Sequence, residues 1–231
     1  MSKSAVVLLS GGMDSAVCLA LAKRDGFALH ALSVDYGQRH AVELEAAREL
    51  ARWAGVESHT VLPLDLRPLG GSSLTDLSMP VPKGGQHEGV PNTYVPARNT
   101  LLLGLALALS EVKGARSVFI GVNAVDYSGY PDCRPEFIAT FQELANVATK
   151  AATEEGNPVE IHAPLIVLSK AEIVRLGVSL GVPFKQTVSC YDPAEHEGEV
   201  VACGMCDSCR IRAKAFLEAR VPDPTLYAVR Q

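Results

Sequence analysis

The run Ala5-Val6-Val7-Leu8-Leu9 leads directly into Ser10-Gly11-Gly12-Met13-Asp14-Ser15 and then into the helix formers Ala16 to Lys23, and no other stretch constrains the chain as much. An apolar β-branched run, a double glycine and a helical run predict strand, tight turn and helix in that order. Adjacent glycines let the backbone come close to a ligand. A helix start presents N–H groups that no carbonyl of the helix accepts, so an anion suits it. Ser10, Asp14 and Ser15 add two hydroxyls and a carboxylate, with Asp14 or Ser15 expected as the helix cap. The segment Leu9, Ser10, Gly11, Gly12, Met13, Asp14, Ser15, Ala16, Val17, Cys18 and Leu19 is therefore read as the holder of a nucleotide's phosphates.

Short apolar runs alternate with helical periodicity for about 180 residues, the pattern of an α/β fold with a parallel sheet. A second strand over Phe27 to Val34 ends in Asp35-Tyr36-Gly37-Gln38-Arg39-His40, and a helix with Val42, Ala46, Leu50 and Trp53 on one face follows. A third strand covers Glu57 to Leu62. Residues 63–97 are rich in Pro, Gly and Ser and have no period, which marks a lid, a binding segment or disorder. Arg98 to Val112 is apolar nearly all round and is expected to be a buried helix. Ser117 to Gly121 reads as a strand running into the polar stretch Val122 to Arg134. Pro135 to Thr153 is amphipathic, with Phe137, Phe141, Leu144 and Ala148 in register, and Val159 to His162 is the last core strand. Ser169-Lys170-Ala171-Glu172 is a capping box that opens a helix to Leu180. Ligands of an open parallel sheet sit beyond the carboxyl ends of its strands, so residues 10–15, 35–40 and 121–136 should converge on one cleft.

At 231 residues the chain is one large domain with a small appendage, divided here into an α/β domain over 1–184 and a cysteine-bearing helical segment over 185–231. A net charge of −5 argues against nucleic-acid binding driven by phosphate attraction, and no stable nucleic-acid partner is expected. No run approaches the roughly 20 apolar residues of a membrane helix, and the first residues lack signal-peptide architecture. The expected location is the cytoplasm. Six cysteines in a reducing compartment point to metal ligands or reactive thiols before disulfides.

Cys190, Cys203, Cys206 and Cys209 are separated by 12, 2 and 2 residues. Four thiolates so clustered suit one structural zinc ion, with an Fe–S cluster as the competing metal. His196, between the first two cysteines, is read as a solvated loop residue. Cys18 is read as a small buried hydrophobe, and Cys133 lies apart from the cluster.

The hexapeptide Ser10 to Ser15 resembles the SGGxDS loop of the N-type ATP pyrophosphatases, the PP-loop. It lacks the Gly-Lys-Ser/Thr of a P-loop and the GxGxxG of a dinucleotide fold. Val34 to His40, Val95-Pro96-Ala97-Arg98-Asn99, Gly121 to Arg134 with its Ser128-Gly129-Tyr130-Pro131-Asp132-Cys133-Arg134, and the cysteine cluster follow in order. Together they resemble the QueC family of queuosine and archaeosine biosynthesis, the 7-cyano-7-deazaguanine synthases, from about Ala5 to Arg220. Val188 departs from the Trp common there, and the spacer from Cys190 to Cys203 is longer than usual.

The resemblance implies a Rossmann-like PP-loop sheet with helices on both faces and a small C-terminal zinc-binding subdomain. It implies a carbon–nitrogen ligase that joins 7-carboxy-7-deazaguanine and ammonia at the expense of ATP, through adenylated carboxylate and amide intermediates, to give the nitrile. One zinc ion per chain, Mg²⁺ with the ATP and a homodimer are implied as well. Asp14, Ser15, Arg98 and Arg134 are the catalytic candidates, Asp14 steering Mg²⁺ and the arginines contacting phosphate or carboxylate. Asp126 or Asp132 would accept from the guanine-like N1–H and 2-amino groups, with Tyr127 or Tyr130 stacked on the base. Tyr36, Gln38, Arg39 and Asn99 complete the substrate set, although Tyr36 also reads as core and Arg39 as a solvated helix residue. With no glutamine-handling domain, free ammonium is the expected nitrogen source. The competing readings are a tRNA sulfur transferase or other amidating ligase with the same loop, and a non-catalytic zinc module that binds nucleic acid. AMP with pyrophosphate and ADP with phosphate both remain possible products, the loop type favouring the first.

Overall fold

The computed structural model describes residues 3–39, 42–84, 89–123, 129–196 and 199–228. Five strands, β1 (Ser4–Leu8), β2 (Ala28–Asp35), β3 (Ser58–Pro63), β4 (Ser117–Phe119) and β5 (Glu160–His162), form one sheet in the order β3-β2-β1-β4-β5. Every pairing is parallel. The chain builds outward from β1 through β2 and β3, then returns to place β4 and β5 on the other side. The strand order therefore reverses between β1 and β4, where a parallel sheet opens a crevice.

The central strand is buried on both faces, as its unbroken apolar run requires. Ala5, Val7 and Leu9 enter one core with α1 (Met13–Arg24) and α2 (Val42–Ala54). Val6 and Leu8 enter a second core with α3 (Arg98–Lys113) and α4 (Pro135–Ala148). Two-residue alternation along β1 thus sends its side chains to helices on opposite faces. A one-turn helix, α5 (Lys150–Thr153), follows α4. Two further helices, α6 (Lys170–Ser179) and α7 (Asp207–Ala219), join the first core through Ile173, Val174, Ala215 and Phe216. Gly177 makes that packing possible, since a Cβ there would lie 2.4 Å from the Phe184 ring and 2.8 Å from Val17. The expected capping box is present: the Ser169 hydroxyl accepts from the Glu172 N–H, and the Glu172 carboxylate accepts from the Ser169 N–H.

Three expectations are corrected. α3 is not buried all round. The sheet covers only one of its faces, leaving Leu101 39% and Val112 80% exposed. In α4 the buried face is Ile138, Phe141 and Ala145; Leu144 lies one position off it and is 48% exposed. The helix also ends at Ala148, because Thr149 leaves helical geometry and caps α5 by accepting from the Ala152 N–H. His196 ends strand β6 (Ala194–His196) of an antiparallel hairpin with β7 (Glu199–Val201), so its backbone is not loop.

The described part of segment 63–97 is packed by turns. Ser72, Ser73 and Thr75 are buried, and Leu66, Leu74 and Val95 form a small core with Tyr36 and Tyr191. Among the described residues no helix is long and apolar enough to cross a membrane.

Candidate active site and metal centre

β1 delivers Ser10 to Ser15 at the strand-order reversal. Gly11 has φ +85°, and a Cβ there would stand 2.2 Å from the Glu43 carbonyl oxygen. The glycine is required by the close approach of α2 behind the loop, before any ligand is considered. The helix cap also differs from expectation. Gly12 occupies the N-cap position with no side-chain cap, and α1 begins at Met13. The Ser15 hydroxyl instead accepts from the Ser10 N–H at 3.2 Å and donates to the Gly12 carbonyl at 3.0 Å, with Ser10 Oγ 3.1 Å away. The first intrahelical bond runs from the Ala16 N–H to Gly12. The amides of Met13, Asp14 and Ser15 therefore have no intrahelical partner and are available to an anion.

A cleft of about 250 Å³ opens over this loop. Leu9, Ser10, Gly12, Met13, Asp14 and Ser15 line it, joined by Tyr36 and Gln38 beyond β2 and by Gly121 and Val122 beyond β4. The three segments expected to converge do so within the described residues. Ala16, Val17, Cys18 and Leu19 do not reach the cleft; all four are fully buried on the core side of α1.

Arg98 and Asn99 of α3 and Tyr130 also line the cleft. The Arg98 guanidinium donates to the Tyr36 hydroxyl at 3.2 Å and lies 5.5 Å from that ring's centroid. Tyr130 shares a 2.9 Å hydrogen bond with Thr93 and stacks on Tyr94. Gln38 accepts from the Tyr36 N–H.

Other expected residues serve the scaffold. Arg39 donates to the carbonyls of Leu77 and Met79, tying down segment 63–97. Asp132 is buried and accepts from the Asn99 N–H at 2.9 Å, while Asn99 Nδ2 donates to the Asp132 carbonyl and to Cys133 Sγ. Ala97, at the N-cap of α3, has no capping side chain, so Asp132 supplies that acceptor from 33 residues away. Arg134 is exposed at the N-cap of α4, outside the cleft lining. Asp126 and Tyr127 lie outside the described residues.

Two cleft residues escaped the sequence reading. Lys170 Nζ donates to Asp14 Oδ2 at 2.7 Å, whereas Asp14 Oδ1 is buried with no hydrogen-bond partner among the described residues. Glu43, in the first turn of α2, lines the cleft near Arg98 and Tyr36; burial pushes its pKa up to about 7 against the pull of Arg98. Nothing near either residue in sequence marks it. Lys170 reads as filler in a capping box and Glu43 as one more helix carboxylate.

The four Sγ atoms of Cys190, Cys203, Cys206 and Cys209 all lie within 4.8 Å of one another. Four sulfurs about 2.3 Å from one tetrahedral ion stand about 3.8 Å apart, so the set fits a single metal. Cys190 Sγ accepts from the N–H groups of Asp192 and Cys203, and Cys203 Sγ accepts from those of Met205 and Cys206. Such bonds favour the thiolate form that a metal needs. Lys83, paired with Asp192 at 2.8 Å, brings a cation from segment 63–97. Fully buried Arg212 donates to Thr187, Ser189, the Phe184 carbonyl and Asp223, which anchors the strand of chain carrying Cys190. That chain meets the Ser10–Ser15 loop directly, through a bond from the Val188 N–H to the Gly11 carbonyl.

A parallel sheet that delivers an SGGxDS turn and a bare helix start to its strand-order reversal defines a PP-loop protein, here with a four-cysteine attachment whose sulfurs could hold a metal. The fold is similar to the structure of NMN synthetase from Francisella tularensis, at TM-score 0.51 and 18% identity over 96% of this chain and 79% of that one. The profile of the family described as "Queuosine biosynthesis protein QueC" matches residues 4–220. The chain is 60% identical over 230 residues to the 7-cyano-7-deazaguanine synthase of Anaeromyxobacter sp. (strain Fw109-5), covering 98% of this chain and 97% of the relative. It is 61% identical over 226 residues to the synthase of that name from Stenotrophomonas maltophilia (strain K279a), covering 98% and 100%. The chain belongs to the QueC family.

Proposed function

We propose that the chain is an ATP-dependent carbon–nitrogen ligase that converts 7-carboxy-7-deazaguanine and ammonia to 7-cyano-7-deazaguanine. The observation that carries this reading is the Asp14–Lys170 pair facing a bare helix start, with one Asp14 oxygen buried and unpartnered among the described residues. Phosphates would rest on the N–H groups of Met13 to Ser15 and on Lys170, and the free Asp14 oxygen suits their Mg²⁺. A carboxylate becomes an electrophile once one of its oxygens is esterified to AMP. Attack by ammonia then gives the amide, and adenylating the amide oxygen in turn permits loss of that oxygen and formation of C≡N. Each step develops negative charge that oriented N–H groups and the Arg98 guanidinium stabilise. Tyr130, stacked on Tyr94, and Tyr36, with Arg98 over its ring, line the cleft together with Asn99 and Gln38 and supply the aromatic and amide groups for the base. Zinc suits the four thiolates as a structural ion that closes the 190–209 segment, and the exposed apolar positions of α3 suit a homodimer. A reduced four-cysteine site accords with the cytoplasm.

The test is mass spectrometry of a reaction containing 7-carboxy-7-deazaguanine, MgATP and ammonium chloride. Nitrile product with AMP is expected. ADP in place of AMP would overturn the cleavage assigned to the loop, and inert, zinc-replete protein that still binds ATP would overturn the substrate.

A further inference from the structure

Forming a nitrile from an amide requires nitrogen to lose both of its protons, so a proton acceptor must stand in the cleft. Among the described residues that line it, Asp14 and Glu43 are the carboxylates, and no histidine is present. Asp14 is held by Lys170. Glu43 lines the cleft from α2, within electrostatic reach of Arg98 and Tyr36, and its own carbonyl packs against Gly11, which fixes its helix start to the Ser10–Ser15 loop. The charged and titratable groups around it are Arg98 of α3, Tyr36 beyond β2 and, on the remaining walls, Tyr130, Cys133, Tyr191, Asp14 and Lys170. Tyr36 is itself pushed up by burial, which removes it as a base near neutrality.

We infer that Glu43 is the group that takes the proton from nitrogen as the adenylated amide collapses to the nitrile. This assignment rests on the ligase reading above. The first N–H proton leaves to solvent as the amide oxygen displaces pyrophosphate from ATP. In the step assigned here, the remaining N–H proton of the O-adenylated imidate passes to the Glu43 carboxylate. The N–H bonding pair becomes the third C–N bond, and the C–O bond breaks with its electrons leaving on AMP. The carboxyl then gives its proton to water. Its raised pKa, about 7, matches an acceptor that must also release the proton near neutral pH.

The experiment starts from the primary amide, 7-amido-7-deazaguanine, with MgATP, so that the ionisation of ammonia plays no part. E43Q should lower kcat by about 100-fold or more while KM for ATP changes by less than about threefold. The acidic limb of the wild-type kcat–pH profile, with its midpoint near 7, should vanish in E43Q and persist with a shifted midpoint in E43D. E43Q should also melt no lower than wild type above pH 7, since it removes a buried charge. Unchanged kcat or an intact acidic limb in E43Q would overturn the inference. If E43Q does not fold, an unshifted midpoint in E43D would overturn it equally. Wild-type protein that leaves the amide untouched would overturn the ligase reading instead.

Discussion

The Val188 N–H donates to the Gly11 carbonyl oxygen at 3.0 Å, two residues from Cys190 on one side and one residue from the bare helix start on the other. The four-cysteine segment therefore holds the Ser10–Ser15 loop in place.

Metal removal should accordingly impair nucleotide binding as well as stability. Without an ion the four sulfurs lose the centre that draws them together, and the 190–209 segment loosens. Chelation, or C206S, should lower Tm and weaken ATP binding by about tenfold or more, because a displacement of about 1 Å at a positioning contact is costly. Calorimetric titration of ATP into metal-depleted and metal-restored protein checks this; equal affinities would separate the two sites.

Lys170 should matter to ATP as well as to folding, since its loss also strands the largely buried Asp14 carboxylate. K170M removes the partner of Asp14 and the only lysine among the described cleft-lining residues. Losing one charged contact to a developing phosphate charge costs about 10² to 10³ in kcat. Steady-state kinetics at saturating ATP, alongside a thermal melt, distinguishes this loss from unfolding.

Arg212 should be the costliest single side chain of the cysteine segment. It is 2% exposed, satisfies four acceptors and lies over the Phe216 ring. Although burial works against its charge, the Asp223 carboxyl is held below its usual pKa by Arg212 and by Tyr227 and Thr225. R212A strands that carboxylate and should cost about 3–5 kcal/mol. R212K should recover only part, because an ammonium cannot reproduce the guanidinium fork. Urea unfolding at pH 7 measures both.

Acid should loosen the sheet. His30, His59 and His162 each face a serine on the neighbouring strand, Ser58, Ser33 and Ser117, and burial lowers all three pKa values, helped by Lys113 at His30 and Arg48 at His59. The unfolded chain then binds protons more readily than the folded one. These histidines' contribution is complete above the unfolded value near 6.5 and is lost as pH falls through the lower folded values. Glu43, whose pKa is raised to about 7, takes up a proton on folding over the same interval and opposes the histidines. In E43Q, which removes that opposing uptake, the urea midpoint should decline from pH 7 to pH 5, and adding H59Q should flatten that decline.

The sequence by itself determined the β1–turn–α1 unit, the capping box at Ser169 and the set of four cysteines. Each is written in bonds or ligand spacings that a few neighbouring residues complete. It also determined the α/β architecture, since alternating strand and helix patterns leave a parallel sheet few arrangements. Which face of α3 meets the sheet, and which face of α4, was decided by packing, because apolar residues there exceed what one sheet face can cover. The tertiary structure alone joined Asp14 to Lys170 across 156 residues, made Asp132 the cap of α3 and set Glu43 in the cleft. It also revealed that Gly11 is needed for α2 as much as for a ligand. Those relationships depend on which elements become neighbours, and proximity in space leaves no periodic trace in the chain.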